Sequence, residues 1–218
     1  MADKFTFSSA GLVHELEMAM DRAGGWNAAL VKRLSEGDRL VHVREYLLNL
    51  AEITYSKTAV RFKVWRTIKL GTGLKTADDF RNALKREGMK VDDRADDLLG
   101  QKAFTASESE KVADLVVVSL AELGFKNRAK REDIYKRAQE LGLDLCPAEV
   151  GPQLRLQYKD QPKGEWLLIA MEPITDSAGG LDVFGVARGG NDRWLSGGCG
   201  CPADFWYGGH RWVFARRK

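Results

Sequence analysis

Leu12, Leu16 and Met20, then Leu30 and Leu34, recur at helical spacing, and Gly24-Gly25-Trp26 divides them into two short helices. From Asp38, whose carboxylate suits an N-cap, Leu40, Val43, Leu47 and Leu50 mark the face of a third. The period then changes. Val60, Phe62 and Val64 alternate with Arg61 and Lys63, and Trp65, Ile68 and Leu70 follow, which predicts a half-exposed strand over 59–70 closed by Gly71-Thr72-Gly73. Thr76 caps a further helix carrying Phe80 and Leu84, with Asp78 and Asp79 at the positive end of its dipole and Gly88 at its stop.

The acidic stretch 92–97 and the aperiodic stretch 100–105 read as a domain boundary. Ser107 and Glu110 have capping-box spacing ahead of Val112, Leu115, Val116, Leu120 and Leu123, which predicts a helix closed by Gly124. A second helix is expected over 131–141, with Ile134, Ala138 and Leu141 inward, and Pro147 is placed to start a third, with Gly151-Pro152 in its interior. Beyond Gly164, residues 166–171, 183–187 and 212–215 read as strands. The expected fold class is therefore α+β, with a helical N-terminal region followed by a C-terminal domain of helices and antiparallel sheet. Its parts are a mainly helical region with one strand over 1–105, and an α+β ligand-binding domain over 106–218 with a tail at 194–212.

Composition narrows the class without naming a function. The 218 residues are 44% hydrophobic and 30% charged, the balance of a soluble globular chain. No apolar run approaches the roughly 18 to 20 residues that cross a bilayer, and residues 1–9 lack the basic and apolar regions of a signal peptide, so a cytoplasmic protein without membrane insertion is expected. The three cysteines are too few for a disulfide framework and are expected reduced. A net charge of +3 permits nucleic-acid contact without demanding it.

Candidate chemistry is sparse. The glycines at 71 and 73, before a helix and beside Lys75, resemble a phosphate cradle, but neither the dinucleotide fingerprint nor the P-loop spacing is present, and a plain turn is expected. Cys199, Cys201 and His210, with Cys146 or Asp204, have the right atoms for zinc, yet one intervening residue strains a shared tetrahedral site and no paired C-x-x-C accompanies it. No metal or cofactor is therefore expected. His14, His42 and His210 sit in unrelated contexts with no nominated nucleophile, so the chain reads as a non-enzyme. An alternative is a winged-helix DNA-binding protein, with helices over 107–158 and helix 147–157 as recognition element through Gln153, Arg155 and Gln157. Nucleic acid is a partner only in that reading.

The tail carries the main functional signal. Residues 196–211 show no helical or strand period, and long irregular stretches in compact domains are usually functional. Phe205, Trp206, Tyr207 and His210 lie there among glycines, a chemistry of binding surfaces. Between Gly189 and Arg211 there is no Lys, Glu, Gln or Met, and every residue of 196–210 except Trp206 has a codon ending in a pyrimidine.

The run from Trp65-Arg66-Thr67-Ile68-Lys69-Leu70-Gly71 to Asp78-Asp79-Phe80-Arg81, the block 143–158, and Glu165-Trp166-Leu167-Leu168-Ile169-Ala170-Met171-Glu172-Pro173-Ile174 resemble bacterial proteins that share a scaffold and differ at their C-terminal ends. Those ends, like residues 189–216 here, resemble the variable proteins of diversity-generating retroelements. In such systems a reverse transcriptase copies a template with errors at adenines, and the altered copy replaces the end of the target gene. The resemblance implies a C-type-lectin-like fold displaying a diversified surface toward an unidentified protein or surface ligand. It implies Ser196, Gly197, Cys199, Cys201, Asp204, Phe205, Tyr207 and His210 as ligand-binding variable positions, with Trp194, Leu195, Trp206 and Trp212 as supports. The chain departs from better-known members in lacking a Gly-Gly-Ser-Trp motif.

Overall fold

The computed structural model describes residues 62–217, and the helices expected over 12–50 lie outside them. Strand β1 (Arg66–Leu70) buries Ile68 and Leu70 and exposes Thr67 and Lys69, as its alternation requires. It ends at Gly71, where φ is 65° and a Cβ would stand 2.0 Å from the Ser109 carbonyl oxygen, so only glycine fits. Helix α1 (Ala77–Arg86) starts at the expected cap: Thr76 Oγ1 accepts from the Asp79 amide at 3.1 Å, and Asp79 Oδ2 accepts from the Thr76 amide at 2.9 Å. The backbone amides of Thr76 and Lys75, both donating to Asp79 Oδ2, hold the Asp79 carboxyl below its usual range.

After strand β2 (Lys90–Val91), the acidic stretch expected as part of a boundary forms helix α2 (Asp93–Gly100), capped by Asp92 Oδ1 accepting from the Ala95 amide at 2.8 Å. Ala95, Leu98 and Leu99 form its buried face.

The helix expected from Ser107 is a strand, β3 (Lys111–Ser119). Two physical reasons decide it. Val116, Val117 and Val118 form a β-branched run, stiff at χ1 and better suited to a pleat. The capping box does not close either: the Ser107 amide donates to Glu149 Oε2 at 2.8 Å, and Glu110 pairs with Lys69 at 2.9 Å. A reciprocal pair does form further on, where Glu122 Oε2 accepts from the Ser119 amide at 2.8 Å and Ser119 Oγ from the Glu122 amide at 3.3 Å, ordering the turn that ends at Gly124.

Strand β4 (Arg128–Lys130) leads into helix α3 (Arg131–Glu140), which buries Ile134 and Ala138 as expected, with Leu141 buried at its C-cap, and adds Tyr135 to that face. Strand β5 (Leu143–Asp144) follows, then helix α4 (Val150–Gln157), which starts later than Pro147 and buries Val150 to Arg155 without interruption. The expected strands appear as β6 (Trp166–Ile169), β8 (Leu181–Gly189) and β11 (Arg211–Arg216), joined by three that the pattern did not reveal: β7 (Ile174–Thr175), β9 (Asp192–Cys199) and β10 (Phe205–Tyr207).

Nine strands make one mixed sheet in the order β1-β3-β11-β6-β8-β9-β2, with β5 also on β11 and β7 also on β8; β10 and β4 form a separate two-stranded ribbon. β11–β6 and β2–β9 are parallel pairs. Register places Val118, Trp212, Leu168, Gly185 and Ser196 in one row across the sheet, and so on one face. That face meets α3, whose Tyr135 stands edge-on to Trp212 and Phe214 at 5.5 and 5.9 Å. Phe184, one residue from Gly185, points to the opposite face, where it meets Phe104 at 5.9 Å and packs so closely on α4 that a Cβ at Gly151 would be 2.5 Å from its own.

The fold class expected from the sequence is therefore corrected. Among the described residues the protein is mostly β, with four helices distributed between strands of a large curled mixed sheet. The stretch near residue 105 joins α2 to β3, and β1 pairs with β3 across it from Arg66↔Leu115 to Leu70↔Lys111.

Candidate functional site

The tail, expected to be irregular, is two strands and two tight connections. Gly190, at φ 60°, turns β8 into β9. Residues 200–204 then cross to α3, and their carbonyls take the free amides of that helix: Arg131 N donates to Asp204 O at 3.0 Å and Glu132 N to Pro202 O at 3.2 Å. The chain closes into β10, which pairs antiparallel with β4 in the register Phe205↔Lys130, Trp206↔Ala129 and Tyr207↔Arg128.

This pairing sorts the tail's aromatics. Phe205 and Tyr207 are 45% and 55% exposed on the outer side of the ribbon, whereas Trp206 is 7% exposed on the inner side. Trp206 stands edge-on to Trp212 at 5.2 Å and to His210 at 4.9 Å, and Trp166 lies 6.2 Å away, completing an aromatic stack. The turn after β10 is held by His210, whose Nδ1 accepts from the Tyr207 amide at 3.2 Å. On the outer side the Arg128 guanidinium lies 4.3 Å over the Phe205 ring, a cation–π contact. The outer surface is thus two rings with Arg128 and Lys130 across the ribbon.

The positions implied as variable divide into two groups. Cys201, Asp204, Phe205, Tyr207 and His210 come together on the loop, ribbon and turn, with Cys199 at the loop's start. Ser196 and Gly197 do not join them. Ser196 is 9% exposed in the row with Trp212, and a Cβ on Gly197 would lie 2.5 Å from the Arg94 Cβ. Of the positions implied as supports, Leu195, Trp206 and Trp212 are buried, while Trp194 is half-buried under Lys90 Nζ at 5.1 Å. Arg128, Lys130 and Trp166 were not foreseen. No local signal marks the first two, which come from a distant strand; Trp166 gave a signal in its place ahead of an apolar strand.

Cys199 and Asp204 also meet: the thiol donates to Asp204 Oδ2 at 2.7 Å, and the Cys201 amide donates to Cys199 Sγ at 3.4 Å. Burial, then the Asp204 bond, pushes the Cys199 thiol up to about 12. The other atoms weighed for zinc lie elsewhere, His210 in the aromatic stack and Cys146 buried, its Sγ donating to the Val213 carbonyl at 3.5 Å.

Two further readings meet specific geometry. The Gly71 amide donates to Glu149 Oε1 at 2.7 Å, so a carboxylate already occupies the place a phosphate would need. The supposed recognition helix is buried: Gln153 and Arg155 are 1% and 0% exposed. Arg155 donates to Gln161, to the Tyr158 carbonyl and to the Ala187 carbonyl, tying α4 to β8, and burial lowers its guanidinium to about 10. Neither side chain is free to reach a DNA phosphate.

Comparison with protein-family models, curated proteins and solved structures gives no match. Among the described residues no helix is long and apolar enough to cross a membrane.

Proposed function

We propose that this protein is a ligand-binding display protein whose C-terminal surface is diversified by retroelement mutagenesis. The binding surface is the outer side of the β4–β10 ribbon with the loop before it and the turn after it. The observation that carries the reading is an agreement between coding and exposure. Trp206 alone among residues 196–210 has no codon ending in a pyrimidine, and it is the aromatic held inside, between exposed Phe205 and Tyr207. A diversifying system needs such an arrangement, with changeable side chains on a support that does not change. The apolar ring of Phe205, the amphipathic ring of Tyr207 and a guanidinium offer a ligand large contact area at small entropic cost. Ser196 and Gly197 drop out of the diversified set for want of space.

The DNA downstream of the gene tests the diversification. A near-copy of the tail's coding sequence beside a reverse transcriptase gene is expected, differing at adenines in codons 199, 201, 204, 205, 207 and 210 and matching at codons 196, 197 and 206; no repeat there overturns it. The binding surface is tested separately, with the full chain as bait against bacterial surface proteins. Alanine at Phe205 or Tyr207 is expected to weaken capture of a recovered ligand by about 2 kcal/mol or more. Unchanged capture overturns the surface assignment.

A further inference from the structure

The sequence spacing argues against zinc because a single residue between two cysteines cannot open an extended chain into a tetrahedron. The fold brings a third donor back to them. Gly200 donates its amide to the Leu181 carbonyl at 2.6 Å, carrying the β8–β9 pairing one residue past Cys199, and a Cβ there would lie 2.9 Å from the Pro173 Cβ. Asp204 N then donates to Cys201 O at 3.2 Å, folding the loop back on itself. One ligand atom each from Cys199, Cys201 and Asp204 lies within 4.8 Å of the others.

We propose that Cys199, Cys201 and Asp204 bind one thiophilic divalent cation of the zinc class. Two sulfurs and a carboxylate oxygen are a preferred donor set for such an ion, and three protein ligands leave one position of a tetrahedron for water or a ligand atom. The loop is built before the ion arrives, because both ends of it are fixed by backbone hydrogen bonds: to β8 through Gly200 and to the first turn of α3 through Pro202 and Asp204. The Cys201 amide, donating to Cys199 Sγ, is the kind of outer contact that orients a metal-bound thiolate. Binding replaces the two thiol protons, which pass to the buffer. Cys201 and Asp204 are positions that the display reading counts as diversified, so the site is a property of this chain's own sequence, and its failure in the metal test leaves the display reading untouched.

The test uses the reduced full chain with zinc or cobalt(II) alone. Elemental analysis after desalting is expected to give one zinc per chain, and cobalt(II) to give a thiolate-to-metal charge-transfer band in the near ultraviolet. Cys201→Ser should abolish the band without altering the circular dichroism of the metal-free chain, since Cys201 lies on a half-exposed loop. Asp204→Asn, a milder change should the cysteine variant misfold, should weaken zinc binding about tenfold or more. A chain without the cobalt band, a band that survives Cys201→Ser, or a Cys199–Cys201 disulfide in freshly isolated protein overturns the proposal.

Discussion

The Asp92 carboxylate accepts the Gly197 amide at 3.1 and 3.2 Å while capping α2 through the Ala95 amide at 2.8 Å. One side chain thus joins the start of a helix to the middle of a strand far along the chain. The contact depends on the absence of a side chain at 197, because the Arg94 Cβ occupies that space. Gly197→Ala is expected to lower stability by about 1–3 kcal/mol, the range for overpacking against backbone-anchored neighbours. Urea unfolding checks it: a midpoint equal to that of the parent chain would mean that α2 and β9 do not pack so tightly.

Adjacent residues of the ribbon should respond oppositely to truncation. Trp206→Ala removes a buried ring from the stack with Trp212, Trp166 and His210, with an expected cost of about 3–5 kcal/mol. Tyr207→Ala removes a ring that is 55% exposed, and a change within about 0.5 kcal/mol is expected. Thermal unfolding of the two variants separates them, and equal losses would refute the strand register.

How much of this was legible follows from where each signal resides. Helix α1 was readable because Thr76 and Asp79 specify its cap three residues apart, with no help from the rest of the chain. Strand β3 was not: an apolar set at 112, 115, 116, 120 and 123 suits a helix, and what makes it a strand is pairing with β1 and β11, which are distant in sequence. β9 hid for another reason. Its centre, Ser196-Gly197-Gly198, has no side-chain alternation to read, because those positions are small to admit Arg94 on one face and Trp166 and Leu168 on the other. The aromatics of the candidate site could be named from the sequence, but which of Phe205, Trp206 and Tyr207 points outward depends on β10 pairing with β4.

Glu149 makes a buried latch that can be broken. Fully buried, it accepts the Gly71 amide at 2.7 Å and the Ser107 amide at 2.8 Å, and Gln153 Nε2 donates to it at 3.1 Å. Glu149→Gln leaves one acceptor where two backbone donors need partners, and an unsatisfied buried donor costs about 1–3 kcal/mol. Amide hydrogen exchange should quicken at Gly71 or Ser107 before it quickens in α3. Parent-like protection at both amides in the variant would show that the latch does not hold them.

Asp182 supplies a pH dependence of the less common sign. It is 4% exposed, and burial raises its carboxyl above the usual value, with Arg94 opposing part of the shift and Asp176, Asp92 and Asp97 adding to it. A raised native value means that the folded chain holds this proton more tightly than the unfolded chain does. Its favourable contribution is therefore complete below the unfolded carboxyl value and is lost as pH rises through the higher native one. Asp182→Asn cannot ionise, so it should gain stability relative to the parent between mildly acidic and neutral pH. Paired urea titrations at the two pH values measure that difference directly. A variant that loses ground as pH rises would mean that the Arg94 pair outweighs the burial of the charge.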